Sequence, residues 1–431
     1  MEDSKYLSGF GNVLWSEAEP GALPMSQNAP KEVPYGLFAE QINGTGFTVH
    51  RAENRRVWLY RLRPQIPLVP WQPLAHSRFT GRFDEALATP QIMRFKPFEG
   101  EQGNDWLDGL TTFAGAGDPT QRAGSAVHLY AADRSMERAF TNIDGDLLVA
   151  PVQGTLTVRT EMGVLSVSPS EIVILPRGIR FQVELVDDRP SGVQATGYVA
   201  ELFDGHFQLP ERGPVGANGM ADARHFMAPV AHYTDRPGPH TIVVKQGGRL
   251  WQATQDMDPF DVVAWHGNYA PFKYDLKQFN SLGSVSFDHP DPSILTVLTS
   301  PLDTHGRNAI DVGVFIGRWD PTEHTFRPPY FHRNSAIEFN GVIRSPATHG
   351  PWVTGAYSFT PYLTPHGVSA TGHVKGTEAD DAPARGSDDS IWLQFESAYL
   401  LKVMPWMMDH PTRDAEYLTQ FEGWRTGSLA R

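Results

Sequence analysis

The chain of 431 residues sets 36 Lys and Arg against 49 Asp and Glu, a formal charge of -13. That balance repels nucleic-acid phosphates and anionic lipid heads, so neither is an expected partner. There is no cysteine, which excludes disulfides, thiolate metal sites and cysteine nucleophiles and leaves histidine and carboxylate as the metal donors. The opening Met1-Glu2-Asp3-Ser4-Lys5 lacks the basic and apolar regions of a leader, and no run approaches the roughly 18 apolar residues of a membrane span. A soluble, cytoplasmic protein is the expectation.

The length suits about two domains of roughly 150 to 200 residues each. Forty Gly and 35 Pro spread along the chain disfavour long helices, because each interrupts a helix interior. A mainly β protein follows. In chain order, Leu156 to Val158, Val164 to Val167 and Ile172 to Leu175 alternate in polarity and are separated by Gly154, Gly163 and Pro169, the spacing of an antiparallel sandwich or barrel. The span from Asn142-Ile-Asp-Gly-Asp146 to Pro176-Arg-Gly-Ile-Arg-Phe181 resembles the jelly-roll barrel of the cupins. Phe181 stands where that motif often places a histidine, so this half reads as a barrel without a metal.

Gly213-Pro-Val-Gly-Ala-Asn-Gly219 has no Lys-Ser/Thr of a phosphate loop and reads as a structural connection. A second β region is expected from about Ser281, with strands at Val285 to Phe287, Ile294 to Leu298, Ala309 to Ile316 and Ile391 to Phe395. The acidic stretch Gly376 to Asp389 reads as a surface loop without calcium-loop spacing. The division is thus an N-terminal β domain, 1–280, and a C-terminal cupin-like domain, 281–431, that carries the chemistry.

Within the second part, Phe326-Arg-Pro-Pro-Tyr-Phe-His-Arg-Asn-Ser-Ala-Ile-Glu-Phe339 places His332 and Glu338 six residues apart. An even offset puts both on one face of an extended strand. His366, in Thr364-Pro-His-Gly367, follows 28 residues after Glu338, far enough for the chain to leave and return on a neighbouring strand. Two imidazoles and one carboxylate leave three positions open on a divalent ion, the donor set of non-haem iron(II) oxygenases. On spacing alone the pattern is common, and an isomerase or hydrolase using the ion as a Lewis acid, or a non-catalytic cupin-like binding protein, stays open.

Longer matches narrow this. Tyr6-Leu-Ser-Gly-Phe-Gly-Asn12, Ala39-Glu-Gln41, Asn54-Arg-Arg-Val-Trp-Leu-Tyr-Arg61, Gly213 to Gly219, Trp265-His-Gly-Asn268, Phe287-Asp-His-Pro-Asp-Pro-Ser293 and Phe326 to Glu338 together resemble the homogentisate 1,2-dioxygenase family along essentially the whole chain. The resemblance implies a two-domain β fold of cupin-like jelly-roll or β-sandwich type and a homo-oligomer, a trimer or a hexamer built from trimers. It also implies Fe(II) as cofactor, with an aromatic substrate and O2 as its partners. His332, Glu338 and His366 match the family's iron ligands, and His289 its acid/base histidine. In such an enzyme a ring hydroxyl binds iron as its phenolate, O2 takes another position, and the ring opens. Homogentisate would give maleylacetoacetate, a step in tyrosine and phenylalanine breakdown.

Tyr330, Arg333 and Asn334 flank the first ligand and are candidates to orient an anionic substrate or the ligands themselves. Arg327 serves equally well as part of a rigid lead-in. His266 reads as scaffold rather than as a fourth ligand. The stretch from Arg344 to Ser369 departs from the family pattern: Ser345-Pro-Ala347-Thr348 occupies the place of a tyrosine, Thr360 stands for a histidine, and His366-Gly-Val-Ser369 replaces His-Gly-Pro-Asp. A paralogous enzyme acting on another hydroquinone-like or amino-substituted ring is one reading. A shifted loop in which His349, Tyr357 or Tyr362 fills the lost roles is the other.

Overall fold

The computed structural model describes residues 6–427 apart from Ser77, Ala217, Asn218, 282–287 and Arg425. Strands dominate, as the glycine and proline content demands. The expected strands around residues 156–175 form as Leu156–Thr160, Gly163–Val167 and Glu171–Leu175. In the first two of them every second residue is buried, the signature of a sheet with one face against a core.

Two large sheets build the N-terminal part. One runs in the order Tyr6–Ser8, Met227–Pro229, Phe272–Asp275, Glu171–Leu175, Asp146–Gln153, Ala195–Leu202, Ala123–Ala132, Leu110–Asp118 and Lys402–Val403. The other runs from Gly163–Val167 through Leu156–Thr160, Arg180–Leu185, Ala139–Asn142, His240–Gln246 and Arg249–Gln255 to Gln72–Leu74. Leu147, Val149, Val173 and Val199 of the first meet Leu156, Val158, Val183 and Val243 of the second in one apolar layer. Phe181 sits in that layer against Trp106 and Phe140, with ring centroids 5.7 and 5.4 Å away. The residue in the histidine's place is therefore a packing residue.

A smaller sheet of Leu14–Glu17, Val262–Gly267, Arg56–Arg61 and Phe38–Asn43 flanks this sandwich. The sheet that matters most for function has the order Thr296–Thr299, Asp311–Phe315, Ile391–Ser397, Ile337–Arg344, Tyr357–Thr360 and Met93–Phe95. Its register opposes Phe339 to Phe395 and Phe359, and Glu338 to Glu396 and Thr360. Alternation then separates two faces. Phe339, Tyr357, Phe359 and Phe395 pack into the large core, where Phe113 and Tyr198 of the nine-stranded sheet meet them. Glu338, Asn340, Thr360, Gln394 and Glu396 share the opposite face, as the register requires.

Gly341 lets the two sheets approach, since a Cβ there would lie 2.4 Å from the Tyr198 ring. The strands also cross between the two sequence halves. Met93–Phe95 completes the C-terminal sheet, and Lys402–Val403 pairs with Leu110–Asp118 of the first sheet.

Two expectations of the second half change in detail. Ile294 and Leu295 belong to a 3-10 turn, Pro292–Leu295, whose N-cap Asp291 accepts from the Ser293 amide, and the strand begins only at Thr296. The acidic stretch is not all loop: the helix Ala370–Glu378, capped by the Ser369 hydroxyl on the Gly372 amide, takes in its first residues. A cap of this kind supplies the acceptor that a helix start needs. The expected strand at Val285 to Phe287 lies outside the described residues. No helix among the described residues is long and apolar enough to cross a membrane.

Candidate metal centre

Glu338 is the second residue of Ile337–Arg344 and is held by pairing on both sides, which fixes its direction onto the polar face. His332 is not on that strand. It lies before it, where its amide donates to the His366 carbonyl at 3.0 Å and its carbonyl accepts from the His366 amide at 3.1 Å. The even spacing from His332 to Glu338 was thus no guide to a shared strand face. This two-way backbone clasp, together with Leu363 N–H to Asn334 O at 2.9 Å, is what draws the two histidines together. Their ring centroids are 4.1 Å apart.

The three side chains converge, with one donor atom from each of His332, Glu338 and His366 inside a 4.8 Å span. Glu338 Oε1 lies 3.1 Å from His366 Nε2 and 3.8 Å from His332 Nε2. Donors bound about 2.1 Å from one ion in adjacent positions lie roughly 3 Å apart, so only a small closure is required. Both rings are also held through Nδ1. His332 Nδ1 donates to the Tyr330 carbonyl at 2.6 Å and His366 Nδ1 to the Thr364 carbonyl at 2.9 Å, which turns each Nε2 toward the carboxylate. Such outer hydrogen bonds are the usual way a ligand imidazole is oriented.

Burial alone would push the Glu338 carboxyl up, but hydrogen bonds from His332 and His366 outweigh it and hold the group far below the usual carboxylate range. The same contact, to Glu338, raises His332. Two further residues surround the carboxylate that linear reading did not single out. Asn340 Nδ2 lies 3.4 Å from Oε2, and Glu396 faces Glu338 across the register, its own carboxyl pushed up to about 7 by burial and by repulsion from Glu338 and Asp311. Only the strand pairing reveals either.

The other candidates divide clearly. Asn334 donates from Nδ2 to Glu338 Oε1 at 2.6 Å, so it orients the carboxylate. Arg333 is exposed and makes no hydrogen bond or ion pair with the described residues. Arg327 is committed to structure, donating to the carbonyls of Thr322, Asp381 and Ala382. His289 stands apart from the three: its ring meets Tyr330 edge-on at 5.1 Å, and Tyr330 in turn meets His332 at 5.8 Å. His289 Nε2 also approaches the Arg327 carbonyl at 3.2 Å and Nδ1 the Pro290 carbonyl at 2.9 Å. His266 pairs with the Tyr60 hydroxyl at 3.1 Å, far along the chain in the small N-terminal sheet.

The substituted stretch also has a place. Thr360 is buried directly opposite Glu338. Tyr357 points to the other face, stacked on Phe95 at 4.8 Å, Tyr362 packs part-buried against the large apolar core, and His349 is exposed.

Comparison with known proteins gives matches along nearly the whole chain. The family model described as homogentisate 1,2-dioxygenase N-terminal matches residues 5–276, and the one described as homogentisate 1,2-dioxygenase C-terminal matches residues 277–427. The chain belongs to the homogentisate 1,2-dioxygenase family. Among curated members, a protein of Oryza sativa subsp. japonica named homogentisate 1,2-dioxygenase is 47% identical over 428 residues, covering 96% of this chain and 90% of its own. Solved structures match far more loosely. Protein Ylba from E. coli reaches a TM-score of 0.31 at 9% identity over 73% of this chain and 94% of that one. AerE from Microcystis aeruginosa reaches 0.29 at 6% identity over 72% and 99%. Overlays this loose bear on neither fold nor function.

Proposed function

We propose that this member of the homogentisate 1,2-dioxygenase family is an iron(II)-dependent ring-cleaving dioxygenase that converts homogentisate and O2 to maleylacetoacetate. The observation that carries the reading is the convergence of His332, Glu338 and His366 with both Nδ1 atoms already spent on carbonyls. Two neutral imidazoles and one carboxylate suit a divalent ion that keeps open positions. When bound there, iron(II) lowers the pKa of a ring hydroxyl and supplies the one-electron chemistry through which O2 attacks the ring.

The chain's own groups do the remaining work. Asn334 and Asn340 hold the two oxygens of Glu338, which keeps the carboxylate from turning away. Tyr330, half exposed beside His332, offers a ring edge along which a planar substrate lies. His289, on the far side of Tyr330, takes or returns the hydroxyl proton. Arg333, charged and uncommitted, faces the carboxylate of an anionic substrate.

Tyr330 and Phe331 are 50% and 49% exposed beside the centre, and a homo-oligomer, trimer or hexamer, covers them in this reading. The chemistry is assigned to residues 281–431, tied to 1–280 by the exchanged strands, in a cytoplasmic protein.

One observation favours a second substrate. Thr360, where the family pattern has a histidine, is the buried neighbour of Glu338, and a lost donor costs its substrate group about 1 to 3 kcal/mol. A related hydroquinone or aminophenol is the second reading. The deciding experiment is anaerobic loading with iron(II) followed by oxygen-electrode assays of homogentisate, gentisate, hydroquinone and amino analogues. Uptake with homogentisate supports the first reading, and uptake only with another ring supports the second. Glu338→Gln should abolish iron retention and oxygen uptake together. Survival of both would sink the ligand assignment.

A further inference from the structure

Two of the sequence motifs play no part at the metal centre, yet the fold brings them to one place. Asn54 to Arg61 and Trp265 to Asn268 pair as antiparallel neighbours, with His266 opposite Trp58. Each residue of the second motif has a defined task. Trp265 is fully buried and donates Nε1–H to the Met162 carbonyl. Gly267, at φ +153, lets the strands close up, because a Cβ would lie 2.3 Å from the Arg56 carbonyl. Asn268 accepts from the Arg56 amide at 3.0 Å and donates to the Asn54 carbonyl at 2.8 Å. Trp58 and His266 are left to line a cleft of about 580 Å³, whose other walls include Arg51, Asn54 and Arg56.

The cleft's polar groups are largely unspent. Among the described residues neither the Arg51 nor the Arg56 side chain makes a hydrogen bond or ion pair, in a protein whose net charge is -13. The Tyr60 hydroxyl gives its proton to the Asn28 carbonyl at 2.9 Å, so at its 3.1 Å contact with His266 Nε2 it accepts. The proton therefore sits on Nε2, and Nδ1 of His266 is a bare acceptor. Guanidinium forks recognise carboxylates, an indole face receives a planar ring, and a lone pair on nitrogen takes a hydroxyl proton. The volume falls within the roughly 300 to 1,000 Å³ of small-molecule sites.

We propose that this cleft is a second ligand site, remote in the chain from the metal centre, for a hydroxylated aromatic carboxylate. Arg51 and Arg56 hold the carboxylate, Trp58 the ring, and His266 Nδ1 the hydroxyl. It requires neither iron nor turnover.

The test is calorimetric titration of the full-length Glu338→Gln protein with 4-hydroxybenzoate, where iron binding is not in play. Saturable binding with a dissociation constant of roughly a millimolar or tighter is expected. The double change Arg51→Ala and Arg56→Ala should weaken it at least tenfold, whereas replacing both by Lys should retain most of it. Both arginines are exposed, so folding should survive. Absence of binding, or an affinity indifferent to the double alanine change, overturns the proposal. So does a double change that alters only the mass of the assembly, because that would mark the cleft as a contact between copies.

Discussion

The interior of the N-terminal sandwich and the rim of the C-terminal sheet both gather histidine and carboxylate, and they put them to opposite uses. Between the two large sheets, Glu201 receives Lys245 Nζ at 2.6 Å, Asn142 Nδ2 at 2.6 Å and His128 Nε2 at 3.0 Å, while Asp144 takes Lys245 at 3.1 Å. Lys245, Glu201 and His128 are fully buried. The ammonium is the cation of this site, tethered to the chain, and it leaves the carboxylates no call for another. At the C-terminal centre no lysine or arginine among the described residues reaches Glu338. Its neighbours are two imidazoles and two carboxamides, none of them a permanent cation, and the site stays short of fixed positive charge. What separates a structural cluster from a candidate metal centre here is whether the charge is already balanced from within.

The largest effect that can break this comparison comes from Lys245→Met. It strands Glu201 and Asp144 without their cation, and removing one partner of a buried pair costs about 3 to 5 kcal/mol. Urea denaturation should show that loss, and adding Glu201→Gln should recover part of it. Full stability in the single variant would mean that the cluster is not held by charge.

Phe181→His tests whether a histidine in the cupin position is enough to make a metal site. It should cost about 2 to 4 kcal/mol, since an imidazole replaces a ring packed on Trp106 and Phe140 and finds no polar partner. Iron content per chain should not rise, and a rise would show that the N-terminal sandwich is only one residue short of a centre.

Acid should act on the N-terminal part in a set order. Burial pushes the Glu201 carboxyl up, but Lys245 and His128 outweigh it and hold it down to about 2. Asp146, likewise buried, is held down to about 2 by His206 and Arg177. Burial holds His128 below its ordinary value despite Glu201. All three folded-state values lie below the unfolded ones, so their contribution is complete above about pH 6.5 and is lost as the pH falls, through His128 first and then through the carboxyls, whose unfolded values are near 4. Each carboxyl is worth on the order of 2 kcal/mol. Urea midpoints should therefore drop from pH 7 to about pH 2.5, and the part of the drop below about pH 4 should be shallower in Glu201→Gln. A flat profile would contradict the assignment.

The smallest effect belongs to the rim. Asn334→Ala frees Glu338 Oε1 from its 2.6 Å hydrogen bond and should weaken iron(II) binding about 10- to 100-fold with little change in the urea midpoint. If stability fell and metal affinity held, Asn334 would be a folding residue.

The amino-acid sequence by itself determined the class of fold, because glycine, proline and alternating apolar residues leave little but short strands. It also carried the family and the identity of His332, Glu338 and His366. Their convergence was legible only in part. The spacing of His332 and Glu338 suggested one strand, whereas the structure joins His332 to His366 by backbone hydrogen bonds that no linear pattern encodes. Asn340 and Glu396 were invisible for the same reason: they become neighbours of Glu338 through strand register, and register is set by which apolar residues face the core. The Lys245 cluster joins residues 128, 144, 201 and 245, and the cleft at Trp58 joins residues 51 to 58 with 266 to 268. Local chemistry names the groups, and only the packing of sheets decides which of them share one electrostatic environment.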